Sequence, residues 1–328
     1  MITFNKNIVA GAVAGILALG AVVSVWWDIE PSVMDIEQQS KAQAQLLGIE
    51  PVIGFATMTA AISVTETLLN KPGGYLTNDK MFPSVLMDNM PAFEFGALQQ
   101  VRDLSLVLRS DFSRSQSQSV EDTDLVKAQP ALNFANNSWL FPSTESEYKK
   151  AVEHFKLYRT RLGNPASQAQ FYARADNLTE WLKEVEKRLG SISQRLSASV
   201  GQDRLNTDLA GDAQAQQSTK TPNQQMIKTS YWQLDNVFYE ARGASWALIH
   251  FLKAIEIDFA TVLEKKNATV SLRQIIRELE QTQETVWSPM ILNGSGFGLM
   301  ANHSLVMANY VSRANAAIID LNKLLKQG

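Results

Sequence analysis

Cysteine is absent from this chain of 328 residues. Its absence excludes thiol nucleophiles, thiolate metal ligands and disulfide bonds. Histidine is scarce as well, since the chain holds only His154, His250 and His303. No two of these stand four residues apart, and none lies in a Glu-x-x-His or His-Glu-x-x-His motif. We therefore expect no metal site and no cofactor, and we interpret each histidine as a helix-surface or capping residue.

Charge is also limited, with 19% charged residues and a net charge of −3. Surfaces that bind nucleic acid are usually basic, so the composition predicts no nucleic-acid partner. The 17 glycines and 10 prolines are too few for a collagen-like or proline-rich chain. The apolar fraction of 45% is instead typical of a folded globular protein.

An uncharged and predominantly apolar stretch covers residues 7–27, close to the N-terminus. Twenty residues of it, as a helix, extend about 30 Å, which is the thickness of the hydrocarbon core of a bilayer. Lys6 precedes the stretch, and Trp26 and Trp27 end it where aromatic rings suit the lipid headgroups. The sequence therefore predicts an anchor that contacts the lipid bilayer. Residues 1–6 form a cytoplasmic tail, and the rest of the chain lies outside the cytoplasm.

A cleaved signal peptide is the alternative for this stretch. Its apolar region is normally shorter, about 7–15 residues, and ends in a small-x-small cleavage site. The run here is longer and ends in two tryptophans, so we favour an uncleaved anchor. A buried core helix is disfavoured by the length of the uncharged run.

The rest of the chain has a helical pattern, and strand motifs are scarce. The clearest apolar seam lies in residues 166–200, with a first spacing of seven residues and then spacings of three and four. It comprises Phe171, Leu178, Leu182, Val185, Leu189, Ile192, Leu196 and Val200. Further helices are predicted at 52–69, 94–108, 144–162, 232–264, 271–287 and 303–327. We expect an all-α fold, a multi-helix bundle after one transmembrane helix, with a coiled-coil dimer as the alternative for the seam.

Two polar stretches, residues 115–143 and 201–223, lack this pattern. We interpret residues 201–223 as a linker. It would join an N-terminal helical half, residues 28–200, to a C-terminal three-helix half, residues 224–328.

Five short runs together resemble a known family. They are Lys71-Pro-Gly-Gly-Tyr75, Met87-Asp-Asn-Met-Pro91, Asp111-Phe-Ser-Arg-Ser-Gln-Ser-Gln-Ser119, Phe171-Tyr-Ala-Arg-Ala-Asp-Asn-Leu178 and Arg195-Leu-Ser-Ala-Ser-Val-Gly201. The chain resembles the domain-of-unknown-function family 2333, a family of uncharacterised Gram-negative envelope proteins. The resemblance implies a single-pass protein of the bacterial inner membrane whose bulk is periplasmic. It implies no activity and no catalytic residue.

The candidate ligand or partner surface is a run of alternating serines with charged neighbours. Its residues are Arg109, Asp111, Ser113, Arg114, Ser115, Ser117 and Ser119. The alternative is a helix end that continues into a solvated loop, in which serines bond the local backbone. A second polar cluster, expected to form a structural network with Arg102, comprises Tyr172, Arg174, Asp176 and Asn177.

The function that we predict is a structural or docking component of a cell-envelope assembly, with a protein partner and no enzymatic activity. An envelope enzyme or binding protein that acts on a glycan or lipid is the alternative. A carrier with a cavity among its helices is a third class. An enzyme requires converging acids or a perturbed ionisable group, and a carrier requires a dry cavity of a few hundred Å³.

Overall fold

The computed structural model describes residues 6–115, 120–205, 224–288 and 290–327. Its α-helices are α1 Lys6–Trp27, α2 Ile36–Leu47, α3 Phe55–Asn70, α4 Asn89–Val107, α5 Thr123–Leu132, α6 Thr144–Leu162, α7 Ala175–Ser197, α8 Leu234–Asp258, α9 Ala260–Lys265, α10 Thr269–Glu280 and α11 His303–Lys326. Two short strands, β1 Gln202–Leu205 and β2 Gln224–Ile227, pair antiparallel. The prediction of a mostly helical chain is confirmed, and the small hairpin is the exception to it.

Helices α4 and α8 lie at the centre and run in the same direction. Where the two helices begin, the carboxylates of Asp88 and Asp235 are close enough to repel one another. Just beyond the ends of the two helices, the rings of Phe112 and Phe259 lie 5.4 Å apart. The two backbones touch at glycines. A Cβ atom on Gly243 would lie 1.9 Å from a backbone carbonyl oxygen of α4, so any larger residue there forces the helices apart.

The bundle has two distinct ends, and α1 joins one of them. The Trp27 ring packs on Gly73, and the Phe82 ring packs on Gly20 in the last third of α1. The loops 71–88 and 133–143 and the described parts of two further loops, 198–205 with 224–233 and 281–288 with 290–302, lie at this end, which we call the α1 end. The opposite end, which we call the far end, holds the start of α3 and the end of α8, joined by Asp258.

Within α7 the seam predicted in residues 166–200 is the buried face, but its two end members lie outside that helix: Phe171 precedes it, and Val200 follows it and is exposed. The six seam residues from Leu178 to Leu196 are buried, and α7 packs on α11 of the same chain. Buried apolar residues from both predicted halves belong to one core cluster. Most of the predicted linker, residues 206–223, lies outside the described residues, so the division at 201–223 stays a prediction.

Three predicted helices are shorter than expected, each for a visible reason. Helix α7 begins at Ala175, because the preceding backbone bonds to other elements, as when Tyr172 N donates to Phe112 O. The helix predicted at 232–264 breaks at Phe259, whose ring is buried. The helix predicted at 271–287 ends at Glu280, and the carbonyls just beyond it bond to Arg242.

Candidate functional site

The segment that follows α1 lies along α8 and is fixed there by three side chains. Arg242 donates to the Glu30 carboxylate, with Nε 2.8 Å from Oε1. Trp246 Nε1 donates to Ser32 O at 3.1 Å. The backbone amide of Met34 donates to Nε2 of the third residue, His250, at 2.8 Å. These contacts join residues 30, 32 and 34 to one face of a helix.

The spacing of this clamp has a simple geometric origin. Two residues of extended chain advance about 6.6 Å, and four residues of α-helix advance about 6 Å. The two spacings match, so residues 30, 32 and 34 lie beside residues 242, 246 and 250, respectively. We call this arrangement the α8 clamp. It leaves almost no free chain between the apolar helix and the bundle.

Arg242 is the centre of the clamp and is only 5% exposed. Besides Glu30, it donates from Nη1 to Thr282 O at 2.9 Å and to Glu284 O at 2.8 Å. A buried guanidinium needs such a full set of acceptors, because burying an unpaired charge is costly. Arg242 thus ties the segment after α1, α8 and the α10–α11 loop together.

His250 serves the clamp as a neutral acceptor. Burial lowers the pKa of His250 to about 4, so the ring is uncharged near neutral pH. Its Nδ1 lies 2.6 Å from Trp246 O and must donate to it, which leaves Nε2 free to accept from Met34. The interpretation of His250 as a surface or capping residue is therefore wrong, since it lies in the core.

The other two histidines also have local partners. His154 Nδ1 lies 3.0 Å from an Asp124 carboxylate oxygen. His303 Nδ1 accepts from Leu292 N at 3.2 Å, at the start of α11. Within the described parts of the chain, no group of three histidine or carboxylate residues could hold a metal ion.

A buried ion pair shapes the loop on which Trp27 packs. Lys71 Nζ lies 2.7 Å from a Glu94 carboxylate oxygen, and their side chains are 2% and 0% exposed. Glu94 also accepts from Leu76 N and from the amide and hydroxyl of Thr77, all within 2.8 Å. Burial raises the pKa of Glu94, and Lys71 and these donors oppose that rise. The pair fixes the backbone of residues 71–77 beneath Trp27.

The predicted serine surface lies at the far end, away from α1. Arg109 pairs with Glu121 at 2.8 Å, which lowers the pKa of that carboxyl, and Arg114 contributes to the same shift. The Ser110 hydroxyl donates to Asp111, and Ser113 Oγ donates to Arg109 O at 3.2 Å.

Ser113 and Ser115 line an open polar cavity of about 520 Å³, together with Arg161 and Tyr172. Ser117 and Ser119 lie outside the described residues. The described part of the run thus combines local backbone bonding, as in a loop, with a concave polar surface.

The predicted polar network forms without Arg102. Asn177 Nδ2 donates to Asp111 O at 3.0 Å and to Tyr172 O at 2.9 Å, and Arg174 donates to Asn177 Oδ1 at 2.9 Å. Arg174 also pairs with Asp176 at 3.3 Å. This network joins the start of α7 to the π-helical turn Leu108–Phe112, which follows α4.

Arg102 points instead towards the loop after α5. It donates to Leu132 O and Phe134 O, both at 2.8 Å, and to the Tyr148 hydroxyl at 3.1 Å. It therefore caps the carboxyl end of α5 and fixes the loop that leads to α6.

Of the predicted anchor residues, Trp26 is exposed and Trp27 is half-buried against Gly73. The side chain of Lys6 is not among the described ones. Of the residues of α1 whose burial the structure describes, Gly20 alone is buried.

An apolar cleft lies beside the clamp. It has a volume of about 350 Å³, and its lining includes Phe238, Trp287, Val306 and Tyr310, with Arg242 at one side. No local sequence pattern predicts this cleft, because its residues come from α8, α11 and the loop between α10 and α11. Its size and lining suit an apolar group such as an acyl chain.

These features define a class: a mostly helical protein in which one apolar N-terminal helix joins a bundle through a short, fixed segment. The chain belongs to the DUF2333 family, described as an uncharacterized protein conserved in bacteria, whose model matches residues 3–328. The resemblance seen in the five short runs is thereby confirmed. No curated protein and no solved structure matches the chain.

Proposed function

We propose that the protein is an inner-membrane-anchored docking component of a bacterial cell-envelope assembly, with its bundle in the periplasm. The α8 clamp is the observation that carries this proposal. A flexible linker would let the bundle reach partners at different distances and orientations from the anchor. Here the bundle is held at one angle to α1, so it presents its surfaces at a fixed height and orientation, which favours docking with a membrane-bound partner.

Two observations support retention of α1 as an anchor. Helix α1 is long and apolar enough to cross a membrane, and almost all of its side chains lie outside the core. A stripe of α1, Gly20, Val23, Ser24 and Trp27, is less exposed than the rest and faces the bundle. A signal peptide is discarded after export and has no need of a packed contact with the mature domain.

Orientation is tested with reporter fusions to the C-terminus. Alkaline phosphatase, which is active only outside the cytoplasm, should be active, and a reporter that works only in the cytoplasm should be silent. The opposite pattern would place the bundle in the cytoplasm. A mature protein that begins near Asp28 would establish cleavage in place of anchoring.

Docking is tested by releasing the bundle from its fixed angle. A ten-residue Gly-Ser linker inserted between Trp27 and Asp28 keeps the anchor but frees the orientation. The matched control is the same linker between Pro165 and Ala166, which are exposed at the far end. After crosslinking in native membranes and purification, wild type and control should retain the same partner proteins, and the released variant should lose them. Equal retention by both linker variants would contradict docking at a fixed orientation.

The cleft beside Phe238 favours a second function, the binding of a lipid. Met307 is buried and lines this cleft, so Met307→Trp should fill it. Met300→Trp is the control, because Met300 is exposed and is not part of the lining. If the protein is a lipid carrier, mass spectrometry should detect a lipid that co-purifies with wild type and control and is lost from Met307→Trp. An equal lipid content in wild type, Met300→Trp and Met307→Trp would contradict lipid binding in this cleft.

A further inference from the structure

We infer that the α1 end of the bundle is itself a lipid-binding face, whose loops 81–86 and 139–141 enter the outer leaflet. This inference rests on the proposed function, because it requires α1 to span the membrane. It adds a second membrane contact, made by the periplasmic domain. The occupant of the face is the acyl-chain region of the bilayer.

The position of Phe82 on α1 carries the inference. Its ring packs against Gly20, where a Cβ atom would lie 2.1 Å from the ring. Gly20 precedes Trp27 by seven residues, or about 10 Å along a helix. Because Trp26 and Trp27 suit the headgroup level, Gly20 lies within the hydrocarbon. A tilt of α1 shortens this depth only slightly, so the loop that carries Phe82 must enter the leaflet.

The composition of both loops suits this depth. Residues 81–87 contain no charged residue, nor do residues 134–143. Met81, Phe82 and Leu86 are exposed in the first loop, and Trp139, Leu140 and Phe141 are exposed in the second. Phe141 is 100% exposed, an unfavourable position for a phenylalanine in water. Their entry into lipid requires no charge to be removed from water.

Part of the backbone of the first loop is bonded internally, which lowers the cost of its entry into an apolar medium. In the first loop, the amides of Val85, Leu86 and Met87 donate to carbonyls of residues 81, 83 and 84. The second loop is closed at its base, where Ser138 Oγ donates to Pro142 O at 2.9 Å and Thr144 N donates to Ser138 O at 3.0 Å.

The two loops form a single face. Asn78 lies just before the first loop, and its Nδ2 donates to Ser138 O at 2.9 Å and to Glu145 at 2.8 Å. The other loops of the α1 end continue the face, with Trp232 and Trp287 exposed. Four loops from different parts of the chain thus expose large apolar side chains at the end that carries the anchor.

The absence of cysteine makes a direct test simple, since each single-cysteine variant has one labelling site. Leu86→Cys and Phe141→Cys place an environment-sensitive fluorophore in the two loops, and both positions are exposed. Leu46→Cys and Val270→Cys are matched controls, exposed at the far end. Val22→Cys, on the exposed side of α1, reports on the anchor itself.

Each full-length variant is reconstituted into nanodiscs of phosphatidylethanolamine and phosphatidylglycerol, with and without lipids brominated on their acyl chains. We expect labels at 22, 86 and 141 to shift to the blue and to lose most of their fluorescence in brominated lipid. Labels at 46 and 270 should stay water-like and unquenched. Circular dichroism confirms that all five variants keep their helices.

The outcomes separate this inference from the proposed function. Quenching at 22 without quenching at 86 and 141 would leave the anchor in place and overturn the lipid-binding face. The same result would indicate that the loops are covered by a protein partner, which the nanodisc lacks. No quenching at 22 would overturn the anchor, and the lipid-binding face with it.

Discussion

Removal of the Glu30 carboxylate is the sharpest test of the α8 clamp. Arg242 is buried, and Glu30 is the only carboxylate among its described hydrogen-bond partners. Breaking a buried ion pair by deleting one partner costs about 3–5 kcal/mol, because the remaining charge is left uncompensated. In Glu30→Ala the guanidinium keeps two carbonyl acceptors, so we expect a loss of about 3 kcal/mol, at the lower end of that range.

The assay is thermal unfolding of the full chain in mild detergent, followed by circular dichroism. For a chain of this size, a loss of about 3 kcal/mol lowers the Tm by roughly 5–10 °C. The matched control is Glu37→Ala, whose carboxylate pairs with Lys41 on the exposed surface of α2. Such a surface pair contributes less than about 1 kcal/mol, so the control should melt almost like wild type. If Glu30→Ala and Glu37→Ala melt at the same temperature, Arg242 does not depend on Glu30 and the clamp is misassigned.

Three further predictions concern the core. Leu189→Asp should lower the free energy of unfolding by several kcal/mol, because it buries a carboxylate in the α7 seam. The control Lys187→Asp, on the exposed face of α7, should melt like wild type. Equal melting temperatures for the two variants would mean that the seam is exposed. Gly243→Ala should lower the free energy of unfolding by about 2 kcal/mol or more, because its Cβ would meet a backbone carbonyl of α4. The control Gly190→Ala should be neutral or stabilising, because the nearest atom to its Cβ would be 3.5 Å away. An equal loss of unfolding free energy in both alanine variants would contradict the close contact between α4 and α8. The pKa of His250 is lowered to about 4, so its contribution to stability is present above pH 6.5 and is lost as the pH falls through 4. Denaturant titrations from pH 7 to pH 4 should show a destabilisation of up to about 3 kcal/mol that His250→Gln lacks, and an unchanged pH dependence in the variant would show that His250 is not the group responsible.

The sequence predicted the helices that bury a regular apolar stripe. The α7 seam is the best example, because burial along one helix face produces a periodicity that is visible without a structure. Helices α2 and α5 were missed. Helix α2 buries only Ile36, Ser40 and Ala44, and α5 contains Pro130 within a polar stretch. Their helices begin with aspartate caps and are stabilised by packing, which leaves a weak local pattern.

The α8 clamp could not be predicted in the same way. The spacing of Arg242, Trp246 and His250 places them on one face of a helix, but their partners lie more than 200 residues away in the chain. No local pattern reports such a pairing. The serine run is polar and unusual in composition, but exposed loops commonly share both properties, so composition alone does not distinguish a binding surface from a loop.

Helix α1 and the bundle should move as one rigid unit if the α8 clamp holds. The distance between spin labels at Val22→Cys in α1 and Val270→Cys at the far end measures this rigidity, since both positions are exposed and the chain has no other cysteine. Pulsed electron paramagnetic resonance on the full chain in nanodiscs should give a single narrow distance distribution. A broad distribution, like that of a domain on a flexible tether, would contradict the clamp and the fixed orientation derived from it.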